Sequence, residues 1–522
     1  MSAVATRTVT SLVDGRPFTE HVDRLAESRN PADLDDVVAE VTLGTGEAIV
    51  AACRAARRAQ AAWGATPPPR RARAIQQAGR LVEANKEALA RLLTREIGKP
   101  YTESLGEVQE IIDQCDFFVG EGRRLYGQTV PSEMPDKQLF TFRVPVGVSL
   151  IVTAGNFPVA VPSWYLVPAL VCGNTVVWKP AEYTPALADA LAGLFLRAGL
   201  PEGVLHVVHA DGPHTFEGLR RGLEEGLVDK VGFTGSTAVG ERIGEICGRH
   251  LQSPCLELGG KNPLVVMPDA DIGLAVEGAV FSGFAFAGQR CTSLGTVFVH
   301  EDVHDAFLAR FAEAVAEAPV GDPTQDVLFG PLMSERFVDR FLEWVGLIRP
   351  HHTVLGSSGT GRITADNPRL GFVGDPERGL FVHPTIVDGV RPDDALYSTE
   401  TFGPIVGVGT FRTLDEAIAL SNGHGYGLSS AIYTNTPAWA LRFRQGVSAG
   451  MLSVNNSTAG AESHLPFGGN GRSGNGGRQS GIWVLDQFTR WQAMNWDYAG
   501  HLQRAQIDIE DVPADLDFRL PD

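Results

Sequence analysis

Short runs of consecutive apolar residues recur along the first half of the chain, at 148–152, 175–179, 204–208 and 230–233, with segments of helical spacing between them. This alternation constrains the fold more than any other feature. A strand covered on both faces is apolar along its whole length, whereas a half-exposed strand alternates apolar with polar residues. Buried strands separated by helices therefore predict an α/β fold with a doubly wound, Rossmann-type parallel sheet. After Gly259 the alternation starts afresh, with a strand at 263–266, a helix running to Phe286, a strand at 296–299 and a helix at 303–318. A second α/β domain is expected to begin near residue 258. Between 125 and 146 the pattern is broken by a strand-like stretch, 138–144, ended by Pro145-Val146-Gly147.

The organisation read from these breaks is one domain from 1–124 and 147–257, a second from 258–455, and a separate pair of segments, 125–146 and 478–522. Residues 1–45 read as an irregular entry with turns and short strands. A single long helix is expected over 70–98, stopped by Gly98-Lys99-Pro100, and another over 104–124 with Ile111, Ile112, Cys115 and Phe118 inward. Residues 351–380 read as a long surface excursion. The acid-rich tail, 500–522, is expected on the surface or along a neighbouring subunit.

With 522 residues the chain has room for two or three domains, and a formal charge of −18 argues against nucleic acid or an anionic membrane as partner. No run of eighteen apolar residues suggests a span, and the N-terminus does not read as a secretory leader. Six cysteines without CxxC spacing indicate reduced thiols, a cytoplasmic protein and no zinc site. The pair His351-His352 has no evident ligand partners nearby in sequence and reads as a solvated loop.

Within this frame one cysteine stands out. Cys291 follows Gly288-Gln289-Arg290 and precedes a strand, which suits a thiol on a loop in a cleft. A thiolate is both a good nucleophile and a good leaving group, as a covalent acyl intermediate needs. Arg290 and local backbone N–H groups are expected to depress its pKa. Taken alone, a cysteine is more often a buried structural thiol. Upstream, Glu257 stands between two leucines and ahead of Gly259-Gly260, a setting that raises a carboxyl towards the range of a general base.

Together the Glu257-Leu258-Gly259-Gly260-Lys261 and Gly288-Gln289-Arg290-Cys291 segments, 34 residues apart from Glu to Cys, resemble the aldehyde dehydrogenase superfamily. The resemblance runs across nearly the whole chain. It implies an NAD(P)-dependent enzyme that oxidises a small-molecule aldehyde through a thiohemiacetal and a thioester on Cys291, with Glu257 activating water. It also implies that Asn156, in Thr153-Ala154-Gly155-Asn156-Phe157-Pro158, helps to hold the oxyanion, and that segments 125–146 and 478–522 form an arm joining a homodimer or homotetramer.

For the cofactor, Gly235 and Ser236 follow a strand and open a helix, where a backbone can approach a phosphate. By resemblance, Lys179 and Glu182 hold the adenosine ribose, and Glu400 and Phe402 hold the nicotinamide end. Glu182 would repel a 2′-phosphate, so NAD is favoured, with NADP as the alternative. By positional analogy the substrate pocket comprises Val161, Trp164, Phe467 and the loop 455–457. Segments 453–457, 464–467 and 497–508 resemble a bacterial branch acting on α-ketoglutaric semialdehyde, for whose carboxylate Arg290 and Arg472 are the candidate partners. Departures from the family pattern are Gly155, which would enlarge or loosen the wall beside Asn156, Gly471, and Gln479 in place of a proton-relay carboxylate. Retention of Glu257 predicts hydrolysis. The rival readings are a CoA-acylating semialdehyde dehydrogenase and a non-catalytic member that keeps the fold.

Overall fold

The computed structural model describes residues 6–356 and 359–522. Ser357 and Ser358, inside the expected surface excursion, and the first five residues of the expected irregular entry lie outside the described residues.

The apolar runs form the interior of one seven-stranded sheet. Its order is Cys255–Glu257, Lys230–Thr234, Val148–Val152, Thr175–Lys179, Leu205–Val207, Ser11–Val13, Arg16–Phe18. The first five strands pair in parallel, and the two N-terminal strands add an antiparallel edge. All five residues of Val148–Val152 and of Thr175–Lys179 are buried, the reason that neither run alternates. From Val148–Val152 the chain steps outward to Thr175–Lys179 and Leu205–Val207, then returns to lay Lys230–Thr234 on the other side. Strand order reverses there, and open α/β sheets leave a crevice beyond the carboxyl ends of the strands at such a point.

A second seven-stranded sheet runs Thr353–Leu355, Thr385–Asp388, Ile405–Phe411, Leu294–His300, Asn262–Val266, Ser429–Tyr433, Met451–Val454, antiparallel only at the Thr353–Leu355 edge. Glu257 ends the last strand of the first sheet, and Asn262 begins a central strand of the second only five residues later. The carboxyl ends of the first sheet thus meet the amino ends of the second, and Cys291 lies three residues before Leu294–His300.

A third sheet stands apart. Lys137–Pro145 pairs antiparallel with Thr489–Asp497 along its whole length and with the short strand Thr129–Val130. Thr489–Asp497 is exposed at every residue except Thr489, and the 500–522 tail is exposed except at Gln503. Among the described residues no helix is long and apolar enough to cross a membrane.

Two expectations need correction. The long helix expected over 70–98 is two, Pro68–Ala84 and Lys86–Ile97. Asn85 leaves helical geometry at φ −115, ψ 13 and turns its side chain back to the Leu81 carbonyl. Such a side-chain bond competes with the helical ladder, and continuous helical spacing on both sides hides the break. The N-terminal segment is more regular than expected. Val22–Asn30 and the twelve-residue strand Asp33–Gly44 form a long antiparallel pair, which Arg7–Val9 joins as a parallel edge.

Candidate active site

Cys291 owes its position to an unusual turn. The helix Ile272–Phe284 ends, and Phe286, Ala287 and Gly288 then take successive left-handed conformations at φ 50, 53 and 66. For a residue with a Cβ this region costs roughly 1–2 kcal/mol, so neighbours must hold it in place. Glycine is required at 288, because a Cβ there would collide with the Gly403 carbonyl. Gln289 is buried and accepts the Met333 N–H at 2.9 Å, while Asn262 donates to the carbonyls of Cys291 and Ser293 at 2.8 and 2.7 Å.

The thiol so placed lines a cleft of about 400 Å³ together with Asn156 and Glu257. The three residues come from separate elements. Asn156 follows Val148–Val152, Glu257 ends Cys255–Glu257, and Cys291 precedes Leu294–His300. The Asn156 amide donates one N–H to the Gln289 carbonyl at 2.9 Å. Its main-chain carbonyl accepts from Lys99 Nζ, also at 2.9 Å. Lys99 and Glu107 form an ion pair with both side chains wholly buried. The other Glu107 oxygen accepts the N–H groups of Val159 and Ala160 at 2.8 and 3.2 Å.

Glu257 is buried, and among the described residues no side chain hydrogen-bonds its carboxyl. Burial holds its pKa well above the ordinary carboxyl range, against a weaker pull from Arg478. The Cys291 thiol is pushed up to about 12, first by burial and then by Glu257 and Glu400. The expectation that Arg290 depresses this thiol therefore fails. Arg290 is ion-paired with Glu103, and its guanidinium lies over the rings of Phe281 and Phe157 at 5.0 and 5.6 Å.

Further along the cleft lie Lys179, Glu182, Gly235, Ser236, Glu400 and Phe402. Lys179 Nζ is 3.9 Å from Glu182 Oε1. Ser236 precedes the helix Thr237–Arg249 without capping it, which leaves first-turn N–H groups to face an anion. Glu400 accepts the Gly260 N–H at 3.1 Å, and burial pushes its carboxyl up to about 7. An uncapped helix terminus, a buried lysine beside a rim carboxylate and a second carboxylate near the thiol make a donor set that fits a dinucleotide with two ribose hydroxyl pairs.

Val161, Trp164 and Phe467 line the cleft as expected, with the Trp164 and Phe467 rings 4.4 Å apart. Loop 455–457 is not brought to it. Asn455 bonds the backbone of Thr434, and Ser457 bonds the Ala459 carbonyl. Arg290 is likewise absent from the lining, and Arg472 lies over the Tyr426 ring at 4.3 Å. Gly155 does not enlarge the wall, since the space a Cβ would point into is held by Ala181 and Tyr183, each 3.0 Å from it. Gln479 makes no bond to Glu257. Its amide lies 3.8 Å from the Cys255 sulfur, and its backbone exchanges two 2.7 Å bonds with Phe467.

One helix, and the acidic face of another that was expected, escaped the sequence reading. The helix Glu335–Val345 buries Val338, Phe341 and Trp344 and turns Arg336 and Arg340 to the cleft. The helix Tyr101–Glu121 carries Glu103, Glu107 and Glu110, one face at spacings of four and three, behind Asn156 and Arg290. Acidic residues recurring on one helical face were the available signal, but a solvated face gives the same pattern. The solvated-loop reading fits the exposed His351 but fails for His352. Both Nε2 atoms face Asp394 Oδ2, at 3.2 and 3.0 Å, and the His352 side chain is fully buried.

The aldehyde dehydrogenase family model matches residues 18–494. An α-ketoglutarate semialdehyde dehydrogenase of Haloferax volcanii is 37% identical over 481 residues, which cover 91% of this chain and 96% of that protein. Malonate-semialdehyde dehydrogenase 3 of Geobacillus kaustophilus is 34% identical, covering 89% of this chain and 93% of its own. Among solved structures, an NAD-dependent aldehyde dehydrogenase from Sinorhizobium meliloti superposes with a TM-score of 0.89 at 30% identity, covering 96% of this chain and 97% of that one.

Proposed function

The chain belongs to the aldehyde dehydrogenase family, is an NAD(P)-dependent enzyme of that family, and from this premise we propose that it oxidises an aldehyde hydrolytically with Cys291 as nucleophile. The observation that carries the reading is the meeting of Cys291, Glu257 and Asn156 in one cleft. Cys291 reacts as the thiolate, its proton passing to solvent. The sulfur then bonds to the aldehyde carbon. The second N–H of the Asn156 amide and the Cys291 backbone N–H hold the resulting oxyanion, a donor pair of which one member is typically worth about 10²–10³ in rate. Bound NAD(P)+ supplies the acceptor for the hydride. Loss of that hydride leaves a thioester on Cys291. Glu257 next removes a proton from water, which attacks the thioester and releases the carboxylic acid and the thiol. The sum is aldehyde, NAD(P)+ and water to carboxylate, NAD(P)H and two protons.

Glu182 at the rim supports NAD over NADP. The relatives' names, semialdehydes of α-ketoglutarate and of malonate, support an aldehyde with a polar far end. The exposed three-stranded sheet supports a homodimer or homotetramer, and six free cysteines support a cytoplasmic setting. Segments 1–124 with 147–257 as the cofactor domain and 258–455 as the catalytic domain belong to the same proposal.

The test is product analysis with an aldehyde panel, NAD+ or NADP+, and CoA present or absent. Free acid formed at the same rate without CoA supports hydrolysis, and CoA-dependent thioester formation sinks it. Cys291→Ala is expected to abolish turnover, and surviving turnover would remove the cysteine from the mechanism.

A further inference from the structure

Tyr183 sits where the two α/β units face each other across the cleft. It follows Glu182, past the end of the strand Thr175–Lys179. Its ring lies 5.9 Å from that of Phe337, which lies 5.8 Å from that of Phe402, and all three line the cleft with Cys291. Phe337 comes from the helix Glu335–Val345, whose Val338 and Phe341 are buried in the core of the second unit. Gly155 makes room for this crossing, because a Cβ at 155 would stand 3.0 Å from Tyr183 Cδ2. The Tyr183 carbonyl accepts from the Ser28 hydroxyl at 3.1 Å, and buried Glu96 accepts the N–H groups of Ala186 and Leu187, each at 2.8 Å. The segment that carries the ring is therefore anchored from behind.

Beside Phe337, Arg336 turns to the same cleft. The other two cations in the lining have counter-charges. Lys179 stands 3.9 Å from Glu182, and Arg340 stands 3.0 Å from Glu343. Glu335, next to Arg336 in the chain, pairs with Arg362 at 3.3 Å, and among the described residues no carboxylate pairs with Arg336. The Arg336 guanidinium lies beside the Tyr183 phenol, whose pKa burial pushes up and Arg336 pulls back. Glu182 marks one ribose of a dinucleotide, and Glu400 with Phe402 marks the other. Phe337 packs on Tyr183 at the first end and on Phe402 at the second, which sets Arg336 alongside the middle of the molecule. Two phosphates occupy that middle, and a guanidinium fork matches phosphate oxygens in pairs.

We propose that Arg336 binds the diphosphate of the cofactor from the second α/β unit, and that Tyr183, for whose ring Gly155 leaves room, positions it. The proposal rests on the reading that Glu182 and Glu400 take the two riboses. The uncapped start of the helix Thr237–Arg249 belongs to the first unit, so the diphosphate is held from both.

The test measures binding to the full chain without aldehyde, by competition against NADH fluorescence. Arg336→Gln, at an exposed position that leaves folding intact, is expected to raise the Kd of ADP-ribose about tenfold, while adenosine, which lacks phosphates, changes less than about twofold. The ratio of the NAD+ and NADP+ Kd values should stay within about twofold, because the 2′-phosphate is not the group held. Arg336→Lys keeps the charge and should lose less. Tyr183→Phe removes the hydroxyl and is expected to cost ADP-ribose about threefold alone and nothing further beside Arg336→Gln, as two residues acting through one contact do. An ADP-ribose Kd that Arg336→Gln leaves unchanged overturns the proposal, as does a loss confined to NADP+ or one equal for adenosine. Full additivity of the two substitutions overturns the positioning role of Tyr183. Ser236→Asp separates the two ways of failing, since it keeps a helix N-cap and sets a negative charge against the phosphates. If Ser236→Asp weakens ADP-ribose and Arg336→Gln does not, this inference alone fails. If neither weakens it, the placement of the cofactor falls and takes the inference with it.

Discussion

Lys99 donates to the main-chain carbonyl of Asn156 at 2.9 Å, so a fully buried cation holds in place a residue that lines the cleft together with Cys291. Its charge is balanced by Glu107, whose second oxygen accepts the N–H groups of Val159 and Ala160. The pair grips both ends of the turn 156–160, and the Lys99 ammonium sits 3.4 Å from the centroid of the intervening Phe157 ring. Lys99→Met leaves Glu107 buried without its counter-charge, a loss of about 3–5 kcal/mol when one partner of such a pair is removed. We expect Lys99→Met to lower Tm by several degrees and kcat by roughly tenfold or more. Lys99→Met with Glu107→Leu should recover only part of the stability, because the Val159 and Ala160 N–H groups lose their acceptor, and should not recover kcat, measured by thermal melts and initial rates. Full recovery of both would show that the pair stabilises the fold without positioning Asn156.

The contrast between Cys291 and Lys99 shows what a linear chain reveals. Cys291 and Glu257 were legible because each stands in a local setting that constrains its chemistry, a glycine-flanked loop and an apolar strand end. The parallel sheet was legible because burial on both faces leaves its mark in every residue of 148–152 and 175–179. Lys99 read only as part of a helix stop. A buried cation is defined by what surrounds it, and its partners Glu107 and Asn156 lie 8 and 57 residues away. Asn85, where a side chain interrupts a continuous helical pattern, was hidden for a related reason. The break lies in a bond to Leu81 and not in residue type.

Glu257 carries a cost that pH exposes. Its folded pKa lies well above the unfolded value because burial penalises the anion. Below pH 4.5 the carboxyl is protonated in both states and contributes no difference. As pH rises above 4.5 the unfolded chain releases the proton while the folded chain retains it, so this group's contribution to stability falls with rising pH. Glu257→Gln removes the titration. It is expected to raise Tm by about 2 °C or more at pH 8 relative to the parent, with the gain shrinking towards pH 5. The same variant should slow thioester hydrolysis while leaving a burst of NADH. A Tm gain independent of pH would separate stability from this carboxyl.

The Cys291 thiol, raised to about 12, gives a second pH signature. Well below such a pKa, each unit of rising pH increases the thiolate fraction tenfold. Alkylation of the cofactor-free protein by iodoacetamide at Cys291 should therefore rise about tenfold per unit between pH 6 and 9 without levelling, followed by mass spectrometry of the 291 peptide. A plateau near neutrality would mean that a neighbouring group already holds the thiolate, against the balance of burial and carboxylates found around it.

Gly288 tests whether the left-handed turn sets the nucleophile. At φ 66, and with the Gly403 carbonyl where a Cβ would stand, Gly288→Ala suffers both backbone strain and a clash that rigid backbone cannot relieve. Displacing segment 286–290 moves the Gln289 carbonyl away from the Asn156 amide. We expect a loss of stability of more than about 1 kcal/mol and at least a hundredfold loss of kcat, since a misplacement of about 1 Å is enough for an effect of that size. Gly15, at φ 71 with no atom within 4 Å of a Cβ, serves as control. Gly15→Ala carries the backbone strain alone and should leave kcat within about twofold. Equal effects at the two sites would reduce the 286–288 turn to a stability feature.

The cofactor preference turns on Glu182, whose carboxylate stands 3.9 Å from Lys179 at the end of Thr175–Lys179. In the parent that carboxylate both neutralises Lys179 and opposes a 2′-phosphate. Glu182→Gln keeps a hydrogen-bonding group for a ribose hydroxyl, removes the opposing charge and frees the lysine to attract. A change of about 1.4 kcal/mol in relative binding is tenfold, and we expect the NAD-to-NADP ratio of kcat/KM to fall by about that factor, through KM. Because the side chain is 39% exposed, added salt should weaken the effect by screening. A ratio unchanged by the substitution, or a parent enzyme that already uses NADP as well as NAD, would remove Glu182 from cofactor selection and turn attention to Arg336 and Arg340, which reach the same cleft from the second α/β unit.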